Sequence, residues 1–70
     1  MELYEYVVTL DEKRDKDGEI VEEAKIIVPI TQVLARDAGQ AGLKAAKDIP
    51  DEYMDGKLDR VQVVVRPFAG

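Results

Sequence analysis

Seventy residues with 46% hydrophobic and 36% charged content describe one small domain rather than a disordered chain. A chain of this length buries only about 60% of the surface that it exposes when unfolded. With no cysteine and no histidine it has no disulfide, thiolate or imidazole metal site to reinforce that core. The same absences exclude zinc centres, cysteine nucleophiles and the usual catalytic triads, and a net charge of −5 argues against binding nucleic acid through counterion release.

A small core without such reinforcement points to self-association or to docking on a larger body. The absence of cysteine fits a reducing compartment. The start MELYEYVV has no basic segment ahead of an apolar run, so no signal peptide is expected. No apolar stretch approaches the ~18 residues of a membrane span. Charge is uneven along the chain. Asp11 to Lys25 holds seven acids against four bases, and Asp48 to Asp59 holds five acids and one lysine. Residues 60–70 carry Arg60 and Arg66 and no acid.

Glu2 to Leu10 alternates as a strand, with Tyr4, Tyr6, Val8 and Leu10 on one face and Leu3, Glu5, Val7 and Thr9 on the other. The mixed second face implies burial on one side only. Asp11 to Glu19 is a charged turn in which Asp17-Gly18 signals a two-residue hairpin. Asp15, Asp17 and Gly18 also match three positions of a calcium loop, but Lys13 and Ala24 stand where that loop needs acids, and the turn reading is preferred. The charged approach implies a loose tip or strands that run beyond the core.

Ile20 to Ile30 reads as a second strand, with Ile20, Ala24, Ile26, Val28 and Ile30 on one face and Val21, Glu23, Lys25 and Ile27 on the other. Pro29 cannot donate to a ladder, which places it on an edge, at a bulge or at the strand's end. Thr31 to Arg36 continues extended. Asp37 is a candidate N-cap, and the helix runs from Ala38 to about Asp48. Ala38, Ala41, Gly42, Ala45 and Ile49 line one face, flanked by Leu43 and Ala46. Small side chains on that face fit close packing on the sheet, the preferred reading, or on a neighbouring subunit. Pro50 ends the helix. In the acidic connection Asp51 to Lys57, Tyr53 and Met54 either fold back as a lid over the core, the preferred reading, or stand out as an apolar anchor.

Leu58 to Phe68 is the third strand, and its valines on both faces imply burial between neighbours. Phe68 either caps the core or projects into a partner. The expected fold is α+β: a single small ββαβ domain over residues 1–70, a three-stranded mainly antiparallel sheet with one helix packed on one face. Its other face would carry an apolar stripe that includes Val7, Val21, Ile27 and Val64.

No phosphate-binding glycine loop is present, because Gly39 and Gly42 lie inside the helix. Thr9 and Thr31 have no candidate base beside them, and the carboxylates fall in lysine-interspersed turns where solvation is their ordinary state. Neither catalysis nor a cofactor nor a metal is expected.

Val33 to Asp37, Gln40-Ala41, Ile49-Pro50 and Leu58 to Phe68 together form a pattern: a "VLARD–xxQA" helix start, an "IP" stop and an "LDxVxVxVRPF" strand. With the looser hairpin Tyr4 to Ile30, it resembles a group of small proteins from tailed phages of actinobacteria, some of which are accessory components of the capsid shell. The resemblance implies a virion protein made in the host cytoplasm: a minor capsid (decoration or cement) subunit that binds the major capsid protein, either alone or as a homo-oligomer. Tyr53, Met54, Arg66 and Phe68, with Val7 and Ile27 behind them, are the expected partner contacts. The alternative is a cytosolic phage accessory protein that binds a host protein through Asp11 to Glu23 and Asp48 to Asp59.

Overall fold

The computed structural model describes residues 1–68. Among these residues, five strands, one helix and two single 3-10 turns follow in the order β1 (Glu2–Leu10), β2 (Lys13–Arg14), β3 (Ile20–Glu22), β4 (Lys25–Ala35), α1 (Ala38–Lys47), turns at Asp51–Tyr53 and Leu58–Arg60, and β5 (Val61–Pro67). The main sheet has the order β4-β1-β5 and both of its ladders are antiparallel. This is the α+β arrangement expected from the sequence, with α1 covering one face.

Alternation in β1 sets the two faces. Tyr4, Tyr6, Val8 and Leu10 are buried beneath α1, while Leu3, Glu5, Val7 and Thr9 are only half-buried on the face away from it. Around them Ala45, Ile49 and Tyr53 complete the larger core cluster, and Ala35 and Ala41 pack with Tyr4 in a smaller one. Tyr6 reaches across from the central strand to donate its hydroxyl to the Asp48 carboxylate at the C-terminal cap of α1. That hydrogen bond, with burial and the Asp48 charge adding to it, pushes the Tyr6 phenol above its ordinary range.

The helix begins where the sequence places it. The Asp37 Oδ1 accepts from the Gln40 amide at 2.8 Å, and the Gln40 side chain reaches back to accept from the Arg36 amide at 2.7 Å. Two amides that the first turn leaves without partners are thereby satisfied. At the other end the Asp48 amide donates to the Ala45 carbonyl, and Pro50 stops the chain from continuing. The small-residue face lies on the sheet rather than on a neighbour: Ala41 and Ala45 are fully buried. A Cβ built at Gly42 would meet only the Val65 methyl at 4.0 Å, an ordinary contact. Gly42→Ala therefore gains helix propensity without a clash and should stabilise the domain by about 0.5–1 kcal/mol. That corresponds to a melting temperature higher by roughly 2–8 °C. An unchanged or lower value in a calorimetric scan would show that the helix does not sit on Val65 as described.

Three local expectations are corrected. The hairpin tip is a type I turn, with the Gly18 amide donating to the Asp15 carbonyl at 3.0 Å and only Gly18 left-handed at φ 85°. It is thus a three-residue loop closed by glycine, not a two-residue turn with Asp17 also at positive φ. The Asp15 Oδ1 is occupied within it, accepting from the Asp17 and Glu19 amides. Second, the single strand expected over Ile20 to Ile30 is divided. Its first part joins β2 in a separate two-stranded arm, which helps to give the molecule its 47 Å long axis. Its second part is the start of β4, where register shifts on both sides of Val8 reverse the alternation twice. Pro29 sits within the second shift, on an edge strand, where its missing N–H costs nothing. Third, β5 is an edge strand, not a central one; β1 is the strand with two neighbours. Leu58 to Arg60 belong to a 3-10 turn ahead of it.

Candidate functional site

The bulges in β4 decide which side chains the uncovered face presents. Val28 is paired with Val8 and turns toward α1, and Ile27 packs beside it on the core. Ile26, opposite Thr9, and Ile30 fall on the other side. They stand 65% and 64% exposed, large β-branched side chains with no covering element. On β5, Val64 is paired with Val7 and is 51% exposed. At the far end of the face Leu34 stands exposed opposite Leu3. The result is an apolar stripe across all three strands.

One ion pair interrupts the stripe. Glu5 and Arg66 are direct cross-strand partners, and the Arg66 Nε donates to the Glu5 carboxylate. Their stems and Val7, Ile30 and Val64 line a shallow cleft of about 220 Å³. A cleft this small and open lacks the enclosure that a small-molecule site needs. Among the described residues no cluster of acids could hold a metal ion, and no helix is long and apolar enough to cross a membrane. What this face can do chemically is bury apolar area against another surface, with Arg66 and Glu5 supplying orientation.

The residues expected to contact a partner are not all brought together. Val7 and Arg66 lie side by side on the uncovered face, and the Phe68 amide extends the same ladder by donating to the Leu3 carbonyl at 3.0 Å. Ile27 is turned inward by the bulge and packs on the core, so it is corrected from partner contact to core. Tyr53 is corrected likewise. It folds back as a lid, 6% exposed among Tyr6, Leu10 and Ile49. The Lys25 and Lys57 ammonium groups lie 5.1 and 5.7 Å from its ring centroid. Its neighbour Met54 is exposed, on a separate shallow surface beside Leu43 and Ile49 at the end of α1. Val21 lies on the arm, away from the stripe. Ile26, Ile30 and Leu34 are the residues that reading the sequence missed as surface. Pro29 was the available signal, since a proline inside a long apolar strand marks a bulge.

A second feature is the clamp at the base of the arm. The Arg60 guanidinium donates to the Asp11 carbonyl and to the Glu22 carboxylate, both at 3.1 Å, and the Lys57 ammonium lies 3.6 Å from the other Glu22 oxygen. The hydrogen bond from Arg60, reinforced by the charges of Lys57 and Arg60, holds the Glu22 carboxyl below the usual carboxylate range. A depressed carboxylate pKa contributes order above its unfolded value and loses it as the pH falls through the folded value. Acidification should therefore release the arm while the three-stranded sheet persists. By carbon-detected NMR, the Glu22 carboxyl should titrate at a higher pH in Arg60→Ala than in the wild type. A Glu22 titration indifferent to Arg60→Ala would show that the clamp does not hold in solution.

No protein-family model, curated protein or solved structure matches this chain.

Proposed function

We propose that this chain is a non-enzymatic structural subunit of a tailed phage, a minor capsid (decoration or cement) protein that binds the major capsid shell through its uncovered sheet face. The observation that carries the reading is the apolar stripe of Ile26, Ile30, Val7 and Val64 on a sheet whose opposite face is covered by α1. Large exposed apolar side chains gathered in one patch mark interaction surfaces more often than sites of chemistry. The pattern from Val33 to Phe68 that resembles small actinobacterial phage proteins supplies the phage context. Docking would remove Ile26 and Ile30 from water, and the Glu5–Arg66 pair would fix the orientation on the shell.

The test is co-sedimentation of the purified chain with assembled major capsid shells of the same phage. The chain should pellet with shells and saturate at a fixed ratio. Recovery of the chain only in the supernatant at every shell concentration would refute the reading.

A second reading draws on the arm. Residues 11–23 project from the sheet as an exposed acidic hairpin held by Arg60, a form suited to contact with a basic surface of a host protein. In that case the chain would bind a cytosolic host protein, and raising the salt concentration would weaken the complex.

A further inference from the structure

The two edges of the main sheet are unlike. The edge at β4 carries Pro29 and two register shifts, devices that discourage pairing with another strand. The edge at β5 has no register shift, and its one proline, Pro67, is its last residue. Its register with β1 runs without a shift from Leu10–Val61 to Tyr4–Pro67.

Which groups this edge offers follows from the ladder. The Asp11 amide donates to the Arg60 carbonyl, and the Phe68 amide donates to the Leu3 carbonyl. In an antiparallel pair the bonded positions alternate, so residues 62, 64 and 66 spend their backbone groups on β1, between the Arg60 carbonyl and the Phe68 amide that are bonded the same way. Val61, Val63 and Val65 turn theirs outward. Val61 returns its amide to the Leu58 carbonyl, and Pro67 has no amide. The outward donors are therefore those of Val63 and Val65, on either side of Val64, with a donorless residue beyond each.

We propose that β5 pairs antiparallel with β5 of a second copy of this chain about a two-fold axis at Val64, forming a six-stranded sheet. In this register Val63 faces Val65 of the second copy and the reverse, so all four outward donors meet carbonyls. Donorless Val61 faces donorless Pro67. The register also keeps like charges apart: Arg66 faces the neutral Gln62 of the second copy and Arg60 faces Phe68. A shift of the axis to Val63 would set Arg60 against Arg66 instead. Moreover, residues 60–68 carry no acid, so in a chain of net charge −5 this is an edge along which two copies approach without opposing carboxylates. Val63, on the side facing α1 yet 37% exposed, would be covered by the second copy. The axis stands perpendicular to the sheet, so both helices lie on one side and both apolar faces join on the other. Ile26 and Ile30, on the far strand, stay clear; the pairing stands or fails independently of any docking on a shell.

Because the chain has no cysteine, single-cysteine variants read the register directly. Val64 and its counterpart form a non-hydrogen-bonded pair with Cα atoms about 4.5 Å apart, within disulfide range. Two copies of Gln62 are offset by about 13 Å along the strands. Under mild oxidation Val64→Cys should become a covalent dimer and Gln62→Cys should remain monomeric. The wild-type chain should sediment at twice its 7.8 kDa mass, falling to one chain in Val63→Pro, which removes an outward donor that the monomer does not use. If that variant fails to fold, Val63→Lys serves, placing an ammonium at the pairing edge. Wild-type chain at monomer mass throughout a concentration series would overturn the proposal. So would a dimer that survives the Val63 substitution, Val64→Cys that does not cross-link, or Gln62→Cys that cross-links as readily as Val64→Cys.

Discussion

Tyr53→Ala is expected to cost about 3–5 kcal/mol of stability, the range for removing a buried aromatic side chain. Tyr53 is 6% exposed and closes the core between the end of α1 and the start of β4, against Tyr6, Leu10 and Ile49. Its loss leaves a cavity that cannot collapse easily, because its neighbours are held by the sheet and by the cap at Asp48. Two lysines also lose the ring that they lie over. A domain of 70 residues has a total stability of roughly 4–10 kcal/mol, so this one substitution removes a third of it or more. With a urea dependence of about 1 kcal/mol per molar at this size, the unfolding midpoint should fall by about 3 M or more. Tyr53→Phe, which retains the ring, should change stability by less than about 1.5 kcal/mol. If Tyr53→Ala unfolded at the wild-type midpoint, Tyr53 would be a surface residue and the lid reading would be wrong.

The second large effect is on binding rather than stability. Ile30→Lys places an ammonium in the middle of the apolar stripe, at a side chain that is 64% exposed in the free domain. Stability should change by no more than about 0.5 kcal/mol. In a complex that buries this face, an unpaired charge costs about 3 kcal/mol or more, so shell binding should weaken by about 100-fold. Co-sedimentation of Ile30→Lys with shells measures this against the wild-type chain, and unchanged binding would remove the stripe from the interface. Leu43→Lys, on the exposed surface of α1, is the matched control and should bind as the wild type does.

The helix was legible in the sequence because its signals are local: an aspartate before a run of small residues, and a proline after an isoleucine. Asp37 and Pro50 act over one turn and need no knowledge of the rest of the chain. The faces of β1 were legible for the same reason, since alternation in an unbulged register is a property of the segment itself. The faces of β4 were not. Val28 and Ile30 differ by two positions, yet one is turned to the core and the other to the surface. The cause is a mismatch with β1 that only the partner strand reveals. The place of β5 was misread because valines on both faces describe a buried strand and an edge strand with an unsatisfied face equally well. That ambiguity bears on function, because the outward valine is what an interacting surface requires.

Of the expected contacts, Val7 and Arg66 could be read from alternation and charge alone. For Tyr53 the sequence favours the lid without fixing it, since its burial depends on how the chain turns after Pro50. The apolar surface itself was expected; its principal residues, Ile26 and Ile30, were hidden by the bulge.

The most direct measurement is the copy number of this chain in purified phage particles, by quantitative mass spectrometry scaled to the major capsid protein. A shell subunit should appear at a fixed ratio compatible with capsid symmetry. Absence from particles, with the chain abundant in infected cytosol, would contradict the account and shift attention from the sheet face to the acidic arm.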